Sequence, residues 1–417
     1  TTGTSGSSGS SGSSGTAGTS GTSVAVAGTQ NYIVKFTSST TIGDSVTCQK
    51  TNGDLCVNLA GGVGVDVGKG GGSCAQNTSV GQGALSANTT GVYQAAFGCQ
   101  ALASNTTGTQ NTAIGARALQ CNTAGIWNTG VGALALRTNV SGDCNVAVGR
   151  AALYNNVSGC NNVAVGLFSL LGNLGNNNTA VGSSSLRCNT TGVNNTAVGR
   201  LALYSNITGI QNTAVGGQSL SANTGGGNNA ALGFYSLKSN TVGGTNTALG
   251  VLSMQYNISG NANTAVGYLS LRNNTTGQNN VAVGVQALRV NTASNNTAVG
   301  YCALRNNTTG CRNVALGYKT LLSNTIGCKN IAIGDRALRA NTTGNNNVSV
   351  GTYALYNNTI GSYNTALGTA ALYKNTTGIN NTAVGVSALY CNVSGVNNVA
   401  LGIDALRLNT ANNNTAV

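Results

Sequence analysis

The sequence predicts an all-β fold, a parallel β-solenoid or β-roll built from short coils of one repeat each. Three observations carry this. From Gly64 onward the chain is one tandem repeat of about seventeen positions, G-x-x-A-L-x-x-N-T-T-G-x-x-N-T-A-V. Each repeat holds only a short β-prone stretch, bounded by Asn, Thr and Gly turn residues. The repeat unit is too small to bury an apolar face alone, so neighbours must stack.

The chain has 417 residues, with 19 Lys and Arg against six Asp, and contains no Pro, His or Glu. Lacking His and Glu, it has few general bases and few metal-ligand clusters to offer. We therefore expect no enzyme, no catalytic residue, no metal site and no cofactor. The net charge of +13 is thinly spread and suggests weak attraction to anionic surfaces rather than a nucleic-acid groove. No apolar run approaches the ~18 residues of a membrane span. With no initiator Met and no signal-like segment, the chain is expected to be a processed form or a fragment. Twelve Cys without CxxC pairs or His partners argue against zinc and fit an oxidising, extracellular setting.

Residues 1–23 carry Gly at 3, 6, 9, 12, 15, 18 and 21. That phase is the requirement of a collagen-like Gly-X-Y stem, whose axis admits only Gly. A flexible Gly/Ser linker is the alternative, although it needs no strict phase.

Residues 24–63 read as a β-rich neck. Val, Ile, Tyr, Phe and Thr alternate with polar residues, and Asn52-Gly53 signals a hairpin turn with Cys48 and Cys56 on either side. The stretch from Gly28 to Thr37 (GTQNYIVKFT), followed by Thr41-Ile42-Gly43-Asp44-Ser45, resembles a segment common in trimeric phage-type and large-virus fibre proteins.

Residues 64–417 are expected to form the roll. The Gly of the NTAVG motif recurs from Gly81 to Gly402, and seventeen of its nineteen intervals equal the full repeat while two are one position shorter. The short intervals end at Gly182 and Gly300, so seven coils make one super-repeat of 118 positions. In each short coil the missing residue lies in the NTTG turn.

Stacked coils turn sequence positions into columns at the strand spacing of ~4.8 Å. The fourth residue after each marker Gly is Leu (Leu119, Leu153, Leu203, Leu271, Leu304, Leu338, Leu389 and others) or, once, Met254. This column is assigned to the core. The residue before the marker is always Val, Ile, Leu or Phe, and it is assigned to the core as well. The residue before that is Ala except at Ser79, Gly130 and Ser349. It must face the opposite way, so we expect the Ala column outside, packed against another chain.

Two Asn columns complete the repeat. One runs through Asn88, Asn105, Asn122, Asn139 and Asn156, the other through Asn111, Asn145 and Asn162. Stacked amides suit hydrogen-bonded ladders. Twelve Asn of the first column also stand in N-x-Ser/Thr sequons, among them Asn88, Asn139, Asn206, Asn307 and Asn392, which makes them candidate N-glycosylation sites. Disulfide candidates are Cys48 with Cys56, Cys144 with Cys160, and Cys311 with Cys328, the last pair one full coil apart.

The fifth residue after the marker is Arg, Lys or Tyr in thirteen of twenty coils, including Arg272, Arg289, Arg305, Arg339, Tyr356, Tyr373 and Tyr390. Such a stripe is a candidate surface for glycans or anionic polymers. Alternatively, its long side chains cover the apolar flank of the roll or bridge subunits.

The motifs Asn111-Thr112-Ala113-Ile114-Gly115 and Asn145-Val146-Ala147-Val148-Gly149 resemble the head repeat of the trimeric autotransporter adhesins, the YadA-like heads. The likeness extends over residues 77–417, although those heads use a shorter coil. It implies a parallel β-roll assembled from three chains, and it brings no catalytic residues. The expected function is thus an extracellular fibre or filament shaft, trimeric, projecting from a virion or cell surface and mediating adhesion. Its expected partner is itself. An ice-binding solenoid is one alternative, but the Thr array it needs is broken at Val140, Val157, Ile207 and Ile258. A glycan-cleaving fibre is another, but Asp335 and Asp404 stand four coils apart, too far for a carboxylate pair.

Overall fold

The computed structural model describes residues 46–49, 54–59, 63–72 and 75–417. The Gly-X-Y tract (1–23) and the neck motif at Gly28–Ser45 lie outside the described residues. No described element is a helix, so none could cross a membrane as one.

Three antiparallel strands lead in: β1 (Val46–Gln49), β2 (Leu55–Leu59) and β3 (Val63–Gly68). The β1–β2 register sets Cys48 opposite Cys56. β3 also pairs antiparallel with β4 (Thr78–Val80). From β4 to β5 (Ala95–Phe97) and on to β24 (Thr415–Ala416), every pairing is parallel and joins the same position of successive coils. Register holds across the short coils, where Val163 pairs with Thr179 and Val281 with Thr297. Twenty coils at ~4.8 Å make a roll of roughly 100 Å.

Each coil is one three-residue strand and a sequence of tight turns. In the coil that starts at Gly115, the Ala118 amide donates to the Gly115 carbonyl and the Asn122 amide to the Leu119 carbonyl. The groups left over bond to neighbouring coils: Leu119 donates to Ala135 ahead, and Arg117 to Cys99 behind. Backbone polar groups are thereby satisfied although little of the coil is strand.

The marker Gly is demanded by this stacking. Gly115 has φ of +135°, and a Cβ there would lie 2.6 Å from the carbonyl carbon and oxygen of Gly132. No other residue fits. The core Leu is also left-handed, with φ of +50° at Leu119 and +46° at Met254. For a residue with a Cβ this costs about 1–2 kcal/mol. Burying a Leu side chain is worth about 1.5–3 kcal/mol, so the position keeps Leu rather than Gly.

The Leu and Met column is fully buried, from Leu85 through Leu119, Leu153, Leu203, Met254, Leu271, Leu304 and Leu338 to Leu389. The strand faces, however, are the reverse of the sequence expectation. The Ala column is buried to 0 % (Ala113, Ala147, Ala180), whereas the residue before the marker faces outward, with Ile114 at 44 % and Val148 at 38 % exposure. Ala is uniform because the roll is thin. The strand wall lies against the Leu column and a second Ala column (Ala118, Ala135, Ala152), so a methyl is about all the interior admits. The exceptions Ser79, Gly130 and Ser349 are equally small, and Ser349 places its hydroxyl on the Ala354 carbonyl at 2.8 Å.

The Asn columns line the inside of the turns as ladders, the first interrupted after Asn274 and Asn392. Asn105 Nδ2 donates to Asn88 Oδ1 (2.9 Å), Asn122 to Asn105 (2.8 Å), Asn139 to Asn122 (2.7 Å) and Asn156 to Asn139 (3.0 Å). Each Nδ2 also caps the Gly carbonyl three residues on, as Asn105 does at Gly108. In the second column Asn111 Oδ1 accepts the Asn128 amide N–H, while Asn145 and Asn162 continue the chain. These amides are buried. The sequon residues Asn88, Asn139, Asn206, Asn307 and Asn392 are among these buried residues, and each Nδ2 donates to a turn carbonyl.

Candidate functional site: a basic and aromatic stripe

The two left-handed residues of the G-x-x-A-L segment turn the chain through a tight corner. Ala and Leu point inward there, and the positions one, two and five after the marker stay at the surface. Of the sixteen Arg and Lys from Arg117 to Arg407, fourteen fall within six residues after a marker Gly. The corner gathers nearly all the cationic charge of the roll on one edge.

Within this stripe Arg and Tyr alternate and cap one another. Arg137 Nη1 donates to Tyr154 Oη, Arg187 to Tyr204 (3.4 Å) and Arg339 to Tyr356 (2.9 Å). The guanidinium of Arg339 also sits 5.5 Å from the Tyr356 ring centroid. Tyr356, Tyr373 and Tyr390 stack face to face, at 5.3 and 5.0 Å with interplanar angles of 4° and 3°. Arg407 closes that column at 5.7 Å from the Tyr390 ring. Burial, followed by the neighbouring Tyr390, Tyr356 and Tyr353, pushes the Tyr373 phenol above its ordinary value.

The position two after the marker also belongs to the stripe. Arg336 Nη1 donates to Tyr353 Oη (2.7 Å) and pairs with Asp335 at 3.1 Å, and Lys238 lies 4.2 Å from the Tyr235 ring centroid. Sequence reasoning followed only the fifth position. The signal was present in the paired spacings Arg336/Arg339 and Tyr353/Tyr356. A gap in the stripe at Ser221 leaves a cavity of about 460 Å³ lined by Arg187, Tyr204, Gln218 and Ser221 among others.

Arg272, Arg289 and Arg305 break the alternation. Arg272 donates to Gln255 Oε1 (2.8 Å) and Tyr256 Oη (3.3 Å). Arg289 and Arg305 occupy the next two coils, and the Nε of each is buried without an acceptor.

The cysteine candidates separate. Cys311 and Cys328 share a column with their sulfurs 3.2 Å apart. Cys160 lies in the equivalent column one coil beyond Asp143, whose amide donates to its sulfur at 3.3 Å, so its neighbour is not Cys144. Asp404 is held 3.4 Å from Arg407, and among the described residues no three His, Cys, Asp or Glu cluster as metal ligands. The stripe can hold anions and stack planar groups, and it places no carboxylate pair across a substrate path. Compared with known proteins, the chain matches no family model, no curated protein and no solved structure.

Proposed function

We propose that the chain is the shaft of an extracellular fibre, in which parallel copies associate along the outward strand face and project from a virion or cell surface. One observation carries this reading. The residue before the marker exposes an apolar side chain in coil after coil, including Phe97, Ile114, Val165, Val198, Leu232, Val299, Ile333 and Leu401. Thr or Val beside it widens the strip. Soluble monomers rarely expose a contiguous apolar patch of more than a few hundred Å². This column alone offers roughly 1,000 Å² per chain, comparable with the ~800 Å² per partner of a stable interface.

Three copies are favoured by the Gly-X-Y tract, which is satisfied only by three strands about one axis. The resemblance of the repeat and the neck to trimeric proteins agrees. Three flat faces turned to a common axis would bury the strip on every copy. The corner stripe would then supply whatever adhesion the fibre has. Sedimentation or mass photometry of the whole chain tests the assembly, with a trimer as the expected species. A stable monomer that leaves the Val face in water would overturn it.

A further inference from the structure

Elsewhere along the corner, Arg137, Arg187 and Arg339 each donate to the hydroxyl of a Tyr on the next coil. Arg272, Arg289 and Arg305 stand at the same position of three consecutive coils, and of the three Arg272 reaches a Tyr hydroxyl, that of Tyr256. Like charges on neighbouring coils repel, and these positions recur at ~4.8 Å per coil. No acid relieves them, because the sequence has none between Asp143 and Asp335. A role confined to covering the roll gives no reason for this. Replacing Arg289 by Tyr would restore the alternation and remove the repulsion.

We propose that the Arg272–Arg289–Arg305 column binds a linear anionic polysaccharide, carboxylated or sulfated, lying parallel to the stack of coils. The column repeats one position on three successive coils with its side chains half-exposed, so an extended chain can pair with every rung, whereas a single small anion reaches one or two. A sugar residue is about as long as the rise of one coil, so one charged group per sugar keeps step with the arginines. A nucleic-acid duplex spaces the phosphates of each strand at ~3.4 Å along a helical axis and winds away from a column of coils, so it falls out of register. Tyr268 and Tyr301 flank the column with 48 % and 46 % of their surface exposed. Tyr318 stacks on one face of Tyr301 at 5.4 Å, and the exposed ring surface that remains offers a contact for the apolar side of a sugar. The stripe continues across the short coil that ends at Gly300, since the shortening falls in the opposite turn and the strand register is kept.

The site belongs to a single roll and stands or falls separately from the number of copies in the fibre. The test is equilibrium binding of the full chain, in whatever assembly it forms, to labelled polygalacturonate and labelled dextran sulfate. Neutral dextran and oligo(dT) serve as controls, and the two polyanions distinguish carboxylate from sulfate preference. Arg289→Gln with Arg305→Gln should weaken binding of the preferred polyanion about tenfold or more and flatten its salt dependence. Arg312→Gln with Lys329→Gln removes the same charge from the two cations that lie off the stripe and should change affinity by less than about twofold. Equal losses in the two double variants would reduce the site to general cationic attraction and overturn the proposal. So would oligo(dT) binding as tight as that of either polysaccharide and lost with Arg289 and Arg305. A second measurement needs no substitution: bound polygalacturonate or dextran sulfate should protect Arg289 and Arg305 from an arginine-specific dicarbonyl reagent, read by mass spectrometry. Unchanged labelling with both polymers would sink the idea even if the variants failed to fold.

Discussion

The sulfur atoms of Cys311 and Cys328 face each other at 3.2 Å on neighbouring coils, and the Cys311 amide donates to the Cys328 sulfur at 3.0 Å. The sequence offered three pairings. This one brings two described sulfurs together at the spacing of a single coil, where Cα separations suit a disulfide. Hydrogen bonding to Cys328, then burial, raises the Cys311 thiol above its ordinary value.

Oxidised glutathione should therefore convert this pair selectively. A Cys328 thiolate attacks the glutathione disulfide and releases one glutathione thiolate. The Cys311 thiolate then displaces the second, leaving a Cys311–Cys328 bond and two reduced glutathiones. The reaction should be slow at neutral pH and faster in mild alkali, as Cys311 ionises. Peptide mapping should find this crosslink and no Cys144–Cys160 crosslink. Independent alkylation of both thiols after treatment would refute the pairing.

The reversed strand faces make a paired prediction. Ala180→Asp places an unpaired charge in the dry interior and should cost about 3 kcal/mol or more. Val181→Asp, one residue on, should leave the roll folded and weaken association between copies. Leu271→Asp should behave like the Ala180 variant, and Arg272→Asp should be mild. Limited proteolysis reads the fold, and sedimentation reads the assembly. Equal protease sensitivity at positions 180 and 181 would contradict the assignment of inside and outside.

Asn206→Ala interrupts the ladder at one rung. It removes the donor to Asn189 Oδ1 (2.7 Å) and to the Gly209 carbonyl (3.0 Å), and the acceptor of Asn223 Nδ2 (2.8 Å). Each buried group left without a partner costs about 1–3 kcal/mol, so the loss should be about 2 kcal/mol or more. Thermal melting of the variant against the parent chain measures it. Expression in a glycosylating host should leave the folded chain without a glycan at Asn206.

The tyrosine stack should make the roll sensitive to alkali. Tyr373 holds its proton more tightly in the folded state than in the unfolded one, so its contribution is complete below the ordinary phenol value of about 10. As pH rises beyond that value the unfolded chain releases the proton first, and stability falls. Tyr373→Phe should lessen this alkaline loss without changing stability at neutral pH. Denaturant midpoints measured at neutral and alkaline pH would show it, and parallel pH profiles for the two proteins would refute it.

The sequence by itself determined the repeat, the parallel stacking, the Leu column and the Asn ladders. Each rests on a residue type that only one environment explains: a Leu that recurs in every coil but that of Met254, an Asn at every turn, a Gly where coil backbones touch. It also established that Ala113 and Ile114 face opposite ways, since a strand alternates. Which of them faces inward depended on the width of the cross-section. Both are apolar, and a three-residue strand is too short for burial of one face to betray itself in pattern. Only the closed coil, with Leu119 and Ala118 filling the space behind the strand, leaves room for a methyl and turns Ile114 into the water. Only stacking across coils distinguished Cys328 from Cys144 as a sulfur with a sulfur partner. It also separated Arg289 and Arg305, whose column neighbours are Arg or Leu, from Arg187, capped by Tyr204, because a column is a property of neighbours that lie a whole coil apart in the chain.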